Sequence, residues 1–204
     1  MRLTAKLQRP RTATAQAAPL SAWGTGQGER GAQIFEFALV LPLLCVLTVG
    51  VIDFAQGYIL KQKLTNAARE GARIATQQGT VDLDQAIPPS VQSVRNAIVE
   101  YLDEAGVDVS SVATVPTDPA TGFYEWTYCE GPCPANPSDG TTAVIVINRA
   151  GTSLVAGVTS GVTRVTVGYP FSWSFGQVIR LLAPSASYSS SFLISSDAEM
   201  RHLF

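Results

Sequence analysis

Residues 37–52 read FALVLPLLCVLTVGVI, sixteen positions without a charge, and stepping back to Ile34 makes nineteen while admitting Glu36. Nineteen helical residues reach ~28 Å, against a hydrocarbon core about 30 Å thick. The segment is therefore expected to span a membrane. A buried core helix is one alternative, but such helices seldom run this long without a polar residue. A cleavable secretory signal is another. Its apolar region would be shorter and would end at a small-residue site, whereas here DFAQ follows, starting at Asp53. Pro42 removes one backbone donor and frees the carbonyl of Ala38, which predicts a kink within the span.

Outward from the span the composition divides. The 204 residues carry a net charge of -2, with 46% hydrophobic and 15% charged residues. Such a chain has too few charges for overall disorder and the length of one modest domain, or of one domain plus an appendage. The near-neutral balance offers no basic footprint for nucleic acid, so no nucleic-acid partner is expected. The single histidine, His202, excludes any site that needs two imidazoles. Residues 1–30 hold Arg2, Lys6, Arg9, Arg11 and Arg30 against Glu29 and are otherwise rich in Ala, Thr, Gln and Gly, as expected of a basic, disordered tail. From Ala32 onward, nine of the 14 basic residues face fifteen of the 16 acidic ones. Arg30 lies close before the span, while Lys61, Lys63 and Arg69 follow it, so the proximal charges leave orientation undecided. The tail is placed in the cytoplasm because it is the short basic side and long domains translocate largely regardless of charge.

Past Asp53 a helical pattern persists. Leu60, Leu64, Ala67 or Ala68, Gly71 and Ala75 recur at spacings of three or four, with Lys61, Lys63, Arg69, Glu70 and Arg73 largely off that stripe. A continuous helix from Gln33 to Thr76 would be ~66 Å long, and its small apolar face suits close packing against a sheet or a second helix. Val91, Val94, Ile98, Tyr101 and Leu102 predict that second helix, started near Pro88, Pro89 and Ser90 and ended at Gly106. Five β-rich runs follow, at 107–115, 123–129, 142–148, 163–171 and 189–196, separated by Pro or Gly clusters. The expected fold class is α+β: a long N-terminal transmembrane and amphipathic helix packed on an antiparallel sheet.

The string RGAQIFEF (30–37) sets Gly31 after a basic residue and Glu36 five positions on, just inside the apolar helix. An acid costs about 2.5–3.5 kcal/mol at the centre of a membrane helix and less near the interface. Cutting the chain after Gly31 would create an ammonium at Ala32 able to pair with Glu36, in the same chain or in a neighbouring subunit. Gly, four residues, Glu-Phe and an apolar run together resemble the processing site of type IV prepilins. RGAQIFEFALVLPLL followed by LTNAAREGARIA resembles the TadE-like minor pseudopilins of the tight-adherence (Flp) pilus system, over roughly residues 30–76. The 31-residue leader and the Gln-Ile-Phe stretch depart from the usual pattern. The resemblance implies a pilin-like fold and cleavage between Gly31 and Ala32 by a membrane prepilin peptidase, with Glu36 used in recognition or docking. It also implies partners among other pilins, pseudopilins and pilus-assembly proteins, and a role in surface attachment. The expected organisation is a cleaved cytoplasmic leader (1–31), a transmembrane helix (32–54), its extracytoplasmic continuation (55–80) and an extracytoplasmic α+β domain (81–204). The closing SSDAEMRHLF is similar to C-terminal ends in that family.

Cys129 and Cys133, in CEGPC, can close a small loop, with Gly131 and Pro132 supplying the turn. In an extracytoplasmic domain a bridge is the natural reading, and two reduced thiols are the alternative. Cys45 sits in the span as an apolar filler. No catalytic residues, metal site or cofactor are expected: there is no nucleophile elbow, no pair of His ligands, and the GTGQG run at 24–28 follows no strand. Asp82 and Asp84 are read as solvated carboxylates rather than calcium ligands. Three functions stay open: a pseudopilin, a membrane-tethered extracytoplasmic binding module without a pilus role, and an anchored enzyme. The third has no residues to name.

Overall fold

A computed structural model describes residues 26–116, 118–119, 124–131, 133, 142–155, 158–174, 176 and 191–202. The chain divides into two compact units, 1–43 and 44–204. Helix α1 runs Gly26–Gln77 and includes Pro42. It thus starts before the expected Gln33 and continues through the proline. Helix α2 is Pro89–Glu104. The strands are β1 (Asp118–Pro119), β2 (Glu125–Cys129), β3 (Val144–Val155), β4 (Val158–Ser172) and β5 (Ser191–Arg201). Strands β2 to β5 form a four-strand antiparallel meander, with the two-residue β1 on its β2 edge. The fold class is α+β.

Alternation along the strands builds the inner face of this sheet. Trp126, Ile147, Val165 and Ala198 lie in one cross-strand row, and Tyr128, Ile145, Val167 and Ser196 in the next, all buried. The α1 stripe of Leu64, Ala67, Ala68, Ala72 and Ala75 joins the same core, as do Val91, Val94, Ile98 and Leu102 of α2. Small residues matter where the packing is closest. A Cβ added at Gly71 would lie 2.6 Å from Ile98 Cδ1 and 3.4 Å from Val165 Cγ1, so a glycine lets α1 sit tight against both α2 and the sheet.

Helix α2 ends at Gly106, whose φ of 73° favours glycine. The Gly106 N–H donates to Asp103 O and the Val107 N–H to Leu102 O, the paired bonds of a Schellman cap. At its start Pro88 provides no side-chain cap. Asp82 does this from the preceding loop, accepting from the Ser90 N–H at 2.7 Å and from Ser90 Oγ at 2.8 Å. The expected strand at 107–115 is instead a loop with a single bridge, Val112 to Glu130. Asp108 accepts from both the N–H and the hydroxyl of Ser110, a local turn that competes with extension while Val107, Val109 and Val112 still reach the core. The other four runs correspond to β2–β5, and β3 and β4 are longer than the sequence pattern indicated. The first residues of the 123–129 run and of the 189–196 run lie outside the described residues.

Candidate membrane span and processing site

Along residues 34–59, α1 presents large apolar side chains outward: Phe35 is 66% exposed, Leu43 68% and Phe54 70%. This stretch is long and apolar enough to cross a membrane, and none of its most apolar window is buried against the protein. A core helix would show the opposite, so its exposure argues for an anchor and against the buried-helix alternative. Cys45 is exposed on this surface with a free thiol.

Gly31, Ala32 and Glu36 are all exposed near the start of the apolar stretch. Apart from its chain neighbours and the backbone of its own helix turn, no heavy atom of the described residues lies within 4 Å of the place where a Cβ would project from Gly31. Ala32 and Glu36 are four residues apart on one helix, which puts an amine formed at Ala32 on the same face as the Glu36 carboxylate. Two of the basic residues beyond the span make bonds within their own unit. Lys61 Nζ donates to the Ser195 carbonyl, and Lys63 Nζ donates to Ala105 O at 2.6 Å, on the C-cap residue of α2.

Residues 31–73 match the family of TadE-like proteins. The match starts at Gly31 and runs through the TadE-like segment's apolar stretch into the buried stripe of α1, ending before α2 and the sheet. It brings this part of the chain into the context of Tad pilus-related function. No curated protein and no solved structure matches the chain.

The sulfur atoms of Cys129 and Cys133 are 2.00 Å apart, joining the end of β2 to the loop beyond it. Gly131, between them, has a φ of 73°, which the short loop requires and which favours glycine there. Among the described residues no group of three or more His, Cys, Asp or Glu could hold a metal ion. Asp82 serves α2 as its cap, and Asp84 accepts from Tyr124 Oη at 3.4 Å.

One residue that organises the C-terminal end of α1 escaped the sequence reading. Arg149, on β3, is 5% exposed and donates to the carbonyls of Ala75 (2.9 Å), Gln78 (3.0 Å) and Gly79 (3.1 Å), and to Ser90 Oγ at 3.1 Å. A cation on the orphan carbonyls of a helix C-terminus satisfies them and complements the macrodipole. Arg149 thereby ties the end of α1 to the sheet and, through Ser90 and Asp82, to the start of α2. Burial pushes the Arg149 pKa down, and the nearby Asp82 opposes that shift. For Asp82, desolvation works upward, but the bonds from Ser90 and the Arg149 charge prevail and hold the carboxyl below its ordinary value. The signal was present in TAVIVINRAG: Arg149 falls in phase with Ile145 and Ile147, on the inward face. A second buried guanidinium, Arg95, donates to Val112 O at 2.6 Å. Nearby, desolvation pushes the Tyr128 hydroxyl up to about 12, with the Arg95 charge acting in the opposite direction.

Proposed function

We propose that the protein is a membrane-anchored minor pseudopilin, cut between Gly31 and Ala32 by a prepilin peptidase and acting with other pilins and assembly proteins in a Tad-type pilus. In this reading residues 1–31 are a cytoplasmic leader, 32–54 span the membrane, 55–80 continue the helix outside, and 81–204 form an extracytoplasmic domain. The observation that carries the reading is the position of Gly31: sterically open, five residues before Glu36, followed by Ala32 on the same helix face as that carboxylate, and at the first residue of the TadE-like match. Gly26, Gly28 and Gly31 each cost about 1 kcal/mol relative to Ala inside a helix, which favours local unwinding around the bond to be cut. Once freed, the Ala32 amine pairs with Glu36, so that two charges near hydrocarbon offset each other.

N-terminal sequencing of the membrane-extracted protein tests this directly, and a mature chain beginning at Ala32 is expected. Because nothing packs against Gly31, Gly31→Trp should leave the fold untouched and accumulate the full-length form. Recovery of intact wild-type chain from cells with an active prepilin peptidase would sink the proposal and favour the simple membrane-tethered binding module.

A further inference from the structure

The end of the sheet nearest the apolar helix surface carries a cluster of three rings. Phe171 and Phe192 are cross-strand partners on β4 and β5, with centroids 5.7 Å apart. Trp173, just past β4, packs edge-on to Phe171 at 5.2 Å and stacks on Phe192 at 5.2 Å with a 21° interplanar angle. Phe171 is 9% exposed and Phe192 38%, so the cluster grades from core to surface. It meets α1 at Gly57, where an added Cβ would lie 3.8 Å from both the Phe171 ring and Ile194 Cδ1. One turn of α1 around Gly57 therefore has two kinds of surroundings. Asp53, 1% exposed, and Gly57 are covered by protein, while Phe54 and Tyr58, 70% and 60% exposed, point away. Residues 34–53 supply the roughly 20 positions that a hydrocarbon core requires, so this turn falls where the helix would leave the bilayer.

We propose that Trp173 and Phe192, together with Phe54 and Tyr58, form a membrane-interface belt that seats this end of the sheet in the lipid headgroup layer. The occupant of the surface is the bilayer, because the cluster meets α1 at Gly57, on the turn that directly follows the exposed apolar stretch and that also carries the exposed Phe54 and Tyr58. Their chemistry fits that depth. Trp and Tyr pair a large apolar body with one polar tip, and both concentrate at membrane–water interfaces. The belt holds the sheet end against the bilayer instead of leaving it to swing on a single helix. It rests on the membrane reading of α1 and not on a role in a pilus.

The test uses full-length chain carrying Trp23→Phe, with and without Trp173→Phe, in phosphatidylcholine vesicles containing a lipid brominated near the carbonyl end of its acyl chains. Flotation with the vesicles reads anchoring, and tryptophan quenching reads the belt. Trp126, 3% exposed in the core, remains in both proteins as the protected internal reference. The Trp173-containing protein is expected to be quenched by the brominated lipid, and Trp173→Phe, which keeps an aromatic ring in the cluster, is expected to abolish that quenching. Floated protein whose Trp173 emission responds to aqueous acrylamide but not to brominated lipid would overturn the belt while leaving the anchor standing. Emission reached by neither quencher would mean that protein covers the ring, and would overturn it equally. Chain that does not float would remove the anchor and the belt together.

Discussion

Two stretches of one helix differ in what covers their apolar side chains. Between residues 34 and 59, α1 displays large Phe, Leu, Ile and Val side chains on its exposed surface, whereas between 64 and 75 it buries Leu64 and four alanines completely. Large side chains face outward where lipid can fill in around them. Small side chains face inward where α2 and the sheet must come close. The difference teaches that hydrophobicity alone does not separate a lipid-facing helix from a core-facing one, since both stripes are apolar. Side-chain size and the position of charges separate them: no charge falls within 37–52, while Lys61, Arg69 and Arg73 stand off the buried stripe on the exposed side.

The sharpest way to break the core-facing half is at its end. Arg149→Met keeps bulk but leaves three carbonyls at and just past the end of α1, and Ser90, without their cation, and stability should fall by about 4 kcal/mol. Chemical denaturation of the full chain in detergent reads this, and a loss below about 1 kcal/mol would mean that Arg149 is not the clasp its geometry indicates. The lipid-facing half should respond to charge instead. Leu47→Arg should cost about 3 kcal/mol in membrane insertion, read as extraction by alkaline carbonate, with the denaturation midpoint unchanged. A lowered midpoint with normal insertion would show Leu47 to be packed against protein and would erase the contrast.

Reducing the bond between Cys129 and Cys133 should lower stability by about 2 kcal/mol, the chain-entropy value for so short a loop. Alkylation of the denatured chain should then label two additional thiols after reductant. Three thiols reactive without reductant would show a reduced pair. Two glycines sharpen the comparison within α1 itself. Gly57→Ala introduces a Cβ at ordinary contact distance and should stabilise by about 1 kcal/mol through helix propensity. Gly71→Ala gains the same propensity but drives a Cβ into the fully buried Ile98, an overpacking cost of about 2 kcal/mol, for a net loss of about 1 kcal/mol. Equal effects at the two sites would refute the close approach at Gly71.

The smallest expected effect is a pH dependence outside the span. Thr163 Oγ1 lies 2.9 Å from His202 Nε2, and desolvation, with the Arg149 charge second, holds the His202 pKa below its ordinary value. The fold therefore favours the neutral ring. Its contribution to stability is present above the unfolded value near pH 6.5 and declines as pH falls through the lower folded value. His202→Gln should flatten the slope of the denaturation midpoint just below neutrality. A slope that persists would assign it to other groups.

Much of this was legible in the chain. Sixteen uncharged residues announced the exposed apolar stretch of α1, the spacing of Leu64, Ala67, Ala68 and Ala75 announced the buried stripe, and alternating β-branched runs located four strands. Gly31 and Glu36 stood out because an acid beside an apolar run is conspicuous, and both are exposed on α1. The 107–115 run misled because Val and Thr spacing reads as a strand, while the bonds between Asp108 and Ser110 form a turn that periodicity does not register. Arg149 was passed over because a charge in a short β-rich run reads as its polar end, although its phase with Ile145 and Ile147 placed it inward.

By itself the sequence determined which part of α1 is long, apolar and charge-free enough to cross a membrane and which part carries the small-residue stripe of the core, because apolar periodicity and charge-free length are local properties of a helix. Tertiary structure alone decided the partners: that Arg149 closes the end of α1, that Asp82 caps α2 across eight residues, and that Phe171, Trp173 and Phe192 gather beside Gly57. Each of these joins residues distant along the chain or supplied by separate elements. Their energies arise from desolvated hydrogen bonds and close contacts that exist only once the elements have packed.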